Sequence, residues 1–172
     1  MKIAIIGYSG SGKSTLASLF AKKYDLPLLY LDTAHFLPDW VIRPAEERAA
    51  IVEKFLNENE NWVIDGTYSK VFYERRLSEA DEIIFMNFNR VACFFRAWKR
   101  YRTYRGQVRE SIAEGCHEKF DLAFAKWILY KSRTKESRAR YRRVLTEYAD
   151  KVTVIKNQRE LSRFVQERGL SL

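Results

Sequence analysis

The segment Gly7-Tyr8-Ser9-Gly10-Ser11-Gly12-Lys13-Ser14, followed by Thr15, has the spacing glycine, four residues, Gly-Lys-Ser. Before it, Lys2-Ile3-Ala4-Ile5-Ile6 is an apolar run that reads as a buried strand. After it, Lys13 to Tyr24 reads as a helix with Leu16, Leu19 and Phe20 on one face. A loop between such a strand and helix points consecutive backbone N–H groups, and the positive end of the helix dipole, at one small volume. That volume suits a di- or triphosphate. Gly7, Gly10 and Gly12 allow backbone angles that side chains oppose and leave room for phosphate oxygens. Lys13 brings a mobile positive charge to the outer phosphates, and the Ser14 hydroxyl can bind magnesium. Residues Gly7 to Thr15 are therefore the expected nucleotide-binding loop, with Mg2+ bound beside the phosphates.

Short apolar segments recur along the chain. Leu28-Leu29-Tyr30-Leu31 reads as a strand ending at Asp32, Trp62-Val63-Ile64 as one ending at Asp65-Gly66, Ile83 to Phe88 as a fourth and Val152 to Ile155 as a fifth. Helices are expected between them: Pro44 to about Asn59, one capped by Ser69 running to Leu77, and Asn89-Arg90 to Arg105, stopped by Gly106. Two more are expected near His117–Lys131 and Lys135–Tyr148, around a break at Gly115, with a last one from Arg159 to Arg168. Alternating strands and helices imply an α/β fold with a parallel sheet covered on both faces. At 172 residues the chain reads as one domain. Parallel strands bring their carboxyl ends to one edge, where ligands bind. The glycine loop, Asp32, Asp65 and Asn87-Phe88-Asn89-Arg90 all fall there.

Asp65 and Asp32 are both candidates for the carboxylate that a phosphate-loop enzyme places near magnesium. Asp65 is the better metal ligand if its strand neighbours the first. Asp32 then lies farther out and can take a proton from a substrate hydroxyl. Either can equally be a carboxylate that caps a turn. Arg43, Tyr68 and Arg75 join Asp32 as candidate acceptor-binding residues.

The net charge of +9 is unevenly spread: residues 90–143 carry 16 Lys/Arg against 5 Asp/Glu, a net +11, and the remainder carries 15 against 17, a net −2. Within that third, Arg96 and Arg100 lie four apart on one helix and share a face. Arg102, Arg105 and Arg109 flank Gly106, where the chain can hinge, and Arg133 and Arg138 follow. Arginines carried by a closing cover stabilise the charge that phosphoryl transfer builds on the transferred group. A solvated helix face, or a nucleic-acid-binding surface, is the alternative use of the same residues. Cys93 and Cys116 lack metal-type spacing and read as free thiols, and His35 and His117 are the only histidines. No apolar run approaches the roughly 18 residues of a membrane span, and Met1-Lys2-Ile3 leads directly into a strand, so a cytoplasmic location is expected.

The chain resembles the P-loop kinase group that includes adenylate, shikimate and related small-molecule kinases. The residues that carry the resemblance are Gly7–Thr15, Trp62-Val63-Ile64-Asp65-Gly66 and Arg96-Ala97-Trp98-Lys99-Arg100. Asp32–Phe36, Trp62–Tyr68 and Gly115–Asp121 further resemble bacterial proteins labelled "DNA topology modulation protein". The resemblance implies a P-loop NTPase fold with a five-stranded parallel sheet in the order 2-3-1-4-5. It also implies an acceptor-binding insert over about 33–61 and a helical, arginine-rich lid over about 96–138. In that order Asp65 comes near magnesium with Ser14, Arg96 lies against the adenine, and Arg100 lies near the phosphates. Lys13, Asp32, Asp65, Arg100 and Arg138 are then the expected catalytic set. Adenylate kinases continue Asp-Gly with Phe-Pro-Arg, whereas Thr67-Tyr68-Ser69 follows here. The implied activity is an ATP- and Mg2+-dependent phosphotransferase acting on a small molecule such as a nucleoside, a nucleotide or a similar metabolite. The alternatives are a nucleotide-regulated DNA-binding protein and a slow ATPase.

Overall fold

In the computed structural model, residues 1–105 and 109–170 are described. Five strands form one parallel sheet: β1 (Lys2–Gly7), β2 (Leu28–Tyr30), β5 (Trp62–Asp65), β6 (Glu82–Met86) and β7 (Val152–Ile155). Their spatial order is β2-β5-β1-β6-β7, the expected 2-3-1-4-5 once the strands of this sheet alone are counted. Burial explains why the apolar runs are continuous: Ile3 to Ile6 on β1 and Trp62 to Ile64 on β5 are each no more than 1% exposed, because helices cover both faces. β1 sits at the centre, with Ile5 level with Asp65 on one side and Ile84 on the other. The end of β1 thus opens where the winding of the sheet reverses direction, the crevice that favours ligands.

The helices are α1 (Lys13–Tyr24), α2 (Leu31–His35), α3 (Ala45–Glu58), α4 (Tyr73–Glu79), α5 (Arg90–Tyr104), α6 (Leu122–Leu129), α7 (Lys135–Glu147) and α8 (Gln158–Glu167). Leu16, Ala17 and Phe20 of α1 are buried against the sheet, and Val52 and Leu56 of α3 are buried on the side of α2. Asn89, Asp121 and Thr134 start α5, α6 and α7 by accepting a hydrogen bond from the backbone N–H three residues on.

Several expectations are corrected. Asp32 does not end a strand: β2 stops at Tyr30, and Asp32 lies in the first turn of α2. Ser69 does not cap α4, which starts at Tyr73 after Phe72 in a left-handed conformation (φ 44°). A helix was expected from His117, but it begins only at Leu122. A short antiparallel hairpin, β3 (Phe36–Leu37) with β4 (Val41–Ile42), was not expected at all. The segment before α6 packs on that hairpin instead of winding up: Ile112, Ala113 and Cys116 form a second small apolar cluster with Phe36 and Trp40. The proposed hinge at Gly106 lies outside the described residues.

Gly7 has φ 136°, and a Cβ there would strike the carbonyl of Met86 on the neighbouring strand. Gly7→Ala is expected to cost about 3 kcal/mol in stability, from left-region strain plus a backbone collision. A urea unfolding curve within about 1 kcal/mol of wild type would refute this.

Candidate active site

Gly10 and Gly12, with φ 80° and 99°, turn the loop between β1 and α1 back on itself. The loop is braced from three sides. Lys13 donates from Nζ to the Tyr8 carbonyl at 3.1 Å, across the loop. Thr67, just past β5, bonds the Gly7 backbone at 3.2 and 3.3 Å and the Tyr141 hydroxyl at 3.1 Å. The Tyr8 ring meets Tyr141 edge-on at 5.1 Å, and Arg133 stacks on its other side at 3.6 Å. Arg133 also donates to the Phe88 carbonyl at 2.7 Å.

Ser14, in the first turn of α1, donates to Oδ2 of Asp65 at 2.6 Å. The pairing follows from topology, because β5 lies directly beside β1 and ends at Asp65. Asp65 is 6% exposed, and its Oδ1 has no hydrogen-bond partner. Burial pushes its carboxyl up to about 6, although Lys13 and the Ser14 hydroxyl pull it down. A buried carboxylate with one vacant oxygen, next to a serine hydroxyl, is the donor set a hard cation favours.

Asp32 lies on the β2 side. Its Oδ1 accepts from the Tyr68 hydroxyl at 2.5 Å, and burial holds that phenol far above its ordinary range. His35 lies 4.3 Å from the Tyr68 ring, and its Nδ1 is 3.0 Å from the Arg48 guanidinium. Burial and the Arg48 charge both lower the pKa of His35.

The arginines divide. Arg96 donates to the Gly10 carbonyl at 3.3 Å, lies over the Phe88 ring at 4.9 Å and bonds Gln158. Its guanidinium occupies the space a Cβ on Gly12 would need. Arg100 is paired with Glu118 at 2.7 Å, and Arg109 with the other oxygen of Glu118 at 2.7 Å. Arg43 donates to the carbonyls of Ala34 and Phe36 at 3.1 and 3.4 Å, which fastens α2 to the hairpin. Two expected site residues are not brought to the loop. Arg75 is held by Glu79 at 2.6 Å and Asn57 at 2.8 Å, and Arg138 is exposed on α7. Arg133, a few residues before Arg138, meets the loop in its place, over the Tyr8 ring. Trp98 is exposed and carries Arg102 over its ring at 5.0 Å.

Sequence reading pairs Arg76 with Arg75 as a candidate holder of an anionic acceptor and gives Glu118 no role; the structure gives both a different place. Arg76 is fully buried and donates to four carbonyls between Gly66 and Val71 at 3.0–3.1 Å. No sequence signal distinguishes it from Arg75. Glu118 lies in an irregular segment, within the Gly115–Asp121 stretch that carries a resemblance but has no spacing that singles out this residue.

Two solved structures of deoxyadenosine kinase from M. mycoides match nearly the full length. The one with bound dATP is 17% identical, with a TM-score of 0.53, covering 98% of this chain and 100% of that one. The one with products dCMP and a flexible dCDP is 14% identical, with a TM-score of 0.54, covering 98% and 99%. The chain has the P-loop NTPase kinase fold. No family model matches the sequence, and no curated protein does. The Gly7–Thr15 segment joins β1 to α1, and the Ser14–Asp65 pair stands at its foot. Among the described residues no helix is long and apolar enough to cross a membrane.

Proposed function

We propose that the protein is an ATP- and Mg2+-dependent phosphotransferase acting on the hydroxyl of a small uncharged or weakly charged molecule, with nucleosides the first class to test. The observation that carries this is the Ser14–Asp65 contact at 2.6 Å with Asp65 Oδ1 unpartnered, at the mouth of a glycine loop. Among the described residues no three His, Cys, Asp or Glu side chains stand together as a metal site. Ser14 and Asp65 would therefore hold magnesium jointly with phosphate oxygens of ATP, and the ion would neutralise charge on those phosphates. Lys13 and the loop N–H groups bind the outer phosphates, and Arg96 lies where the nucleotide base meets the loop.

The acceptor would sit on the β2 side, under an insert built on α2, the hairpin and α3. Asp32 takes the proton from the attacking hydroxyl, and its bond from Tyr68 fixes the carboxylate while leaving the second oxygen free. Arg43, Arg75 and Arg76 are each committed to protein oxygens, while Arg48 contacts His35 and keeps a buried Nε without a partner. The carboxylate of Asp32 repels a phosphorylated acceptor. Support for a nucleoside comes from the fold shared with the deoxyadenosine kinases. The DNA-binding reading is weakened because Arg96 and Arg133 of the basic third are taken up by the glycine loop and its neighbours.

The test is ADP release measured across nucleosides, their monophosphates and other hydroxylated metabolites. At least one unphosphorylated acceptor should raise turnover tenfold or more above basal hydrolysis, with its monophosphate inactive. Lys13→Ala should then lower turnover about 100-fold or more, since it removes both the phosphate charge and the brace to Tyr8. Turnover that no acceptor stimulates would leave a slow ATPase, and preference for monophosphates would overturn the hydroxyl assignment.

A further inference from the structure

Glu118 is the most deeply buried acid of the basic third, its side chain 2% exposed, and it lies between two guanidiniums. Arg100 aims Nε and Nη2 at Oε1, both at 2.7 Å. Arg109 aims Nε at Oε2 at 2.9 Å and Nη2 at 2.7 Å, and its Nη1 donates to Ser111 at 3.0 Å. The guanidiniums are not sealed in the same way: Arg100 is 30% and Arg109 17% exposed. The carboxylate thus leaves Arg100 Nη1 without a hydrogen bond among the described residues, and each Nη of Arg109 keeps one N–H beyond its bond to Glu118 or Ser111. Two positive groups share one negative group, so the trio keeps a net charge of +1.

Its position is set by α5. Gly10 of the loop packs against Cys93 and Ala97, and Arg96 bonds the Gly10 carbonyl. Arg100 lies one turn farther along this face, beyond the loop and on the side of the acceptor cleft. The fields of Arg100 and Arg109 reach Asp32 and Asp65 respectively. Glu118 itself cannot drift. On one side Gly115, Cys116 and His117 bond the hairpin, through the N–H of Asp39 at 3.3 Å, the Leu37 carbonyl at 3.3 Å and the Trp40 indole at 3.0 Å. On the other, Phe120 packs edge-on to Phe94 at 5.2 Å.

We infer that Glu118 is a positioning residue: it holds Arg100 and Arg109 as a preset pair whose open edges receive the phosphoryl group in transit. This rests on the phosphotransferase reading above. A guanidinium in solution must be oriented and desolvated before it can stabilise a transferring phosphoryl group, whereas one fixed by a buried carboxylate is oriented in advance. The carboxylate also keeps the two cations together against their mutual repulsion.

The experiment is calorimetric titration of Mg·ADP, with and without aluminium fluoride and the best acceptor, into wild type and Glu118→Gln. Glutamine keeps the shape but cannot hold both cations. Mg·ADP alone should bind both proteins within about threefold, while the tightening that aluminium fluoride confers should fall about 10- to 100-fold in the variant. In turnover, kcat should fall by a similar factor with the KM for ATP unchanged. Equal tightening in both proteins, no tightening in wild type, or a loss confined to KM overturns the inference. If Glu118→Gln lacks a folded circular dichroism spectrum, Arg109→Lys replaces it, keeping a cation beside Glu118 but losing the two-nitrogen edge. The same collapse is expected, and unaltered tightening overturns the inference. A wild type that binds Mg·ADP and tightens with aluminium fluoride, yet phosphorylates no acceptor, overturns the small-molecule acceptor in the reading above, while Glu118 keeps its role toward a phosphoryl group transferred to water.

Discussion

Asp65→Asn should abolish turnover, by about 1,000-fold or more, while making the protein more stable. The loss follows from removing the carboxylate proposed to face magnesium, and the gain from one fact: a carboxyl with an ordinary value of 3.8 is pushed up to about 6 by burial. The folded state therefore binds the proton more tightly than the unfolded chain does. Between those two values stability falls as pH rises, and above pH 6 the ionised group weakens the fold by about 3 kcal/mol. An amide of the same shape avoids that charge and can still accept from Ser14. The variant should gain about 1–3 kcal/mol at pH 7.5, seen as a higher melting temperature, and the gain should shrink as pH falls towards 4. Magnesium-dependent nucleotide affinity in wild type should decline below about pH 6, and this inflexion should be missing from the variant. Turnover within tenfold of wild type, or a lowered melting temperature at neutral pH, would remove Asp65 from the role given to it.

Arg76→Met should destabilise the protein by about 3–5 kcal/mol and disorganise the acceptor side of the cleft. The Arg76 guanidinium is fully buried, and its charge is compensated by the carbonyls of Gly66, Thr67, Tyr68 and Val71 rather than by a carboxylate. Burial lowers its pKa to about 10, so it remains protonated at neutral pH. Methionine fills much of the same space but leaves four carbonyls short of a donor in a region water does not reach. Those carbonyls belong to the turn that carries Thr67 to the Gly7 backbone and Tyr68 to Asp32. Arg76→Lys, with three donors and no planar fork, should fall between the two. A thermal melt of the methionine variant within about 2 °C of wild type would show that the turn does not depend on Arg76.

The fold was largely legible because its signals are local and physical. Continuous apolar runs such as Trp62-Val63-Ile64 belong to strands buried on both faces, and the loop glycines sit where positive φ is required. Asp65 was legible for the same reason, since a carboxylate that ends a doubly buried strand has one direction to go. Asp32 was misplaced by a turn: the apolar run continues through Leu31, and only packing of Leu31 beside Gly66 shows that the strand has already ended. Arg75 and Arg76 are adjacent and chemically alike, yet one meets Glu79 on the surface and the other is fully enclosed. Helical position separates them, and α4 begins at Tyr73 rather than near Ser69.

Sequence alone specifies one half of the molecule: a strand, a glycine-rich loop and a helix, within a parallel α/β sheet. Contacts between residues close along the chain set that half, so spacing alone records it. The tertiary structure decided the rest. It brought Ser14 to Asp65 across 51 positions, chose Arg133 over Arg138 to meet Tyr8, and seated Arg100 and Arg109 on Glu118. These pairings join distant segments through charge and burial, and no periodicity in the chain encodes which arginine will find which carboxylate.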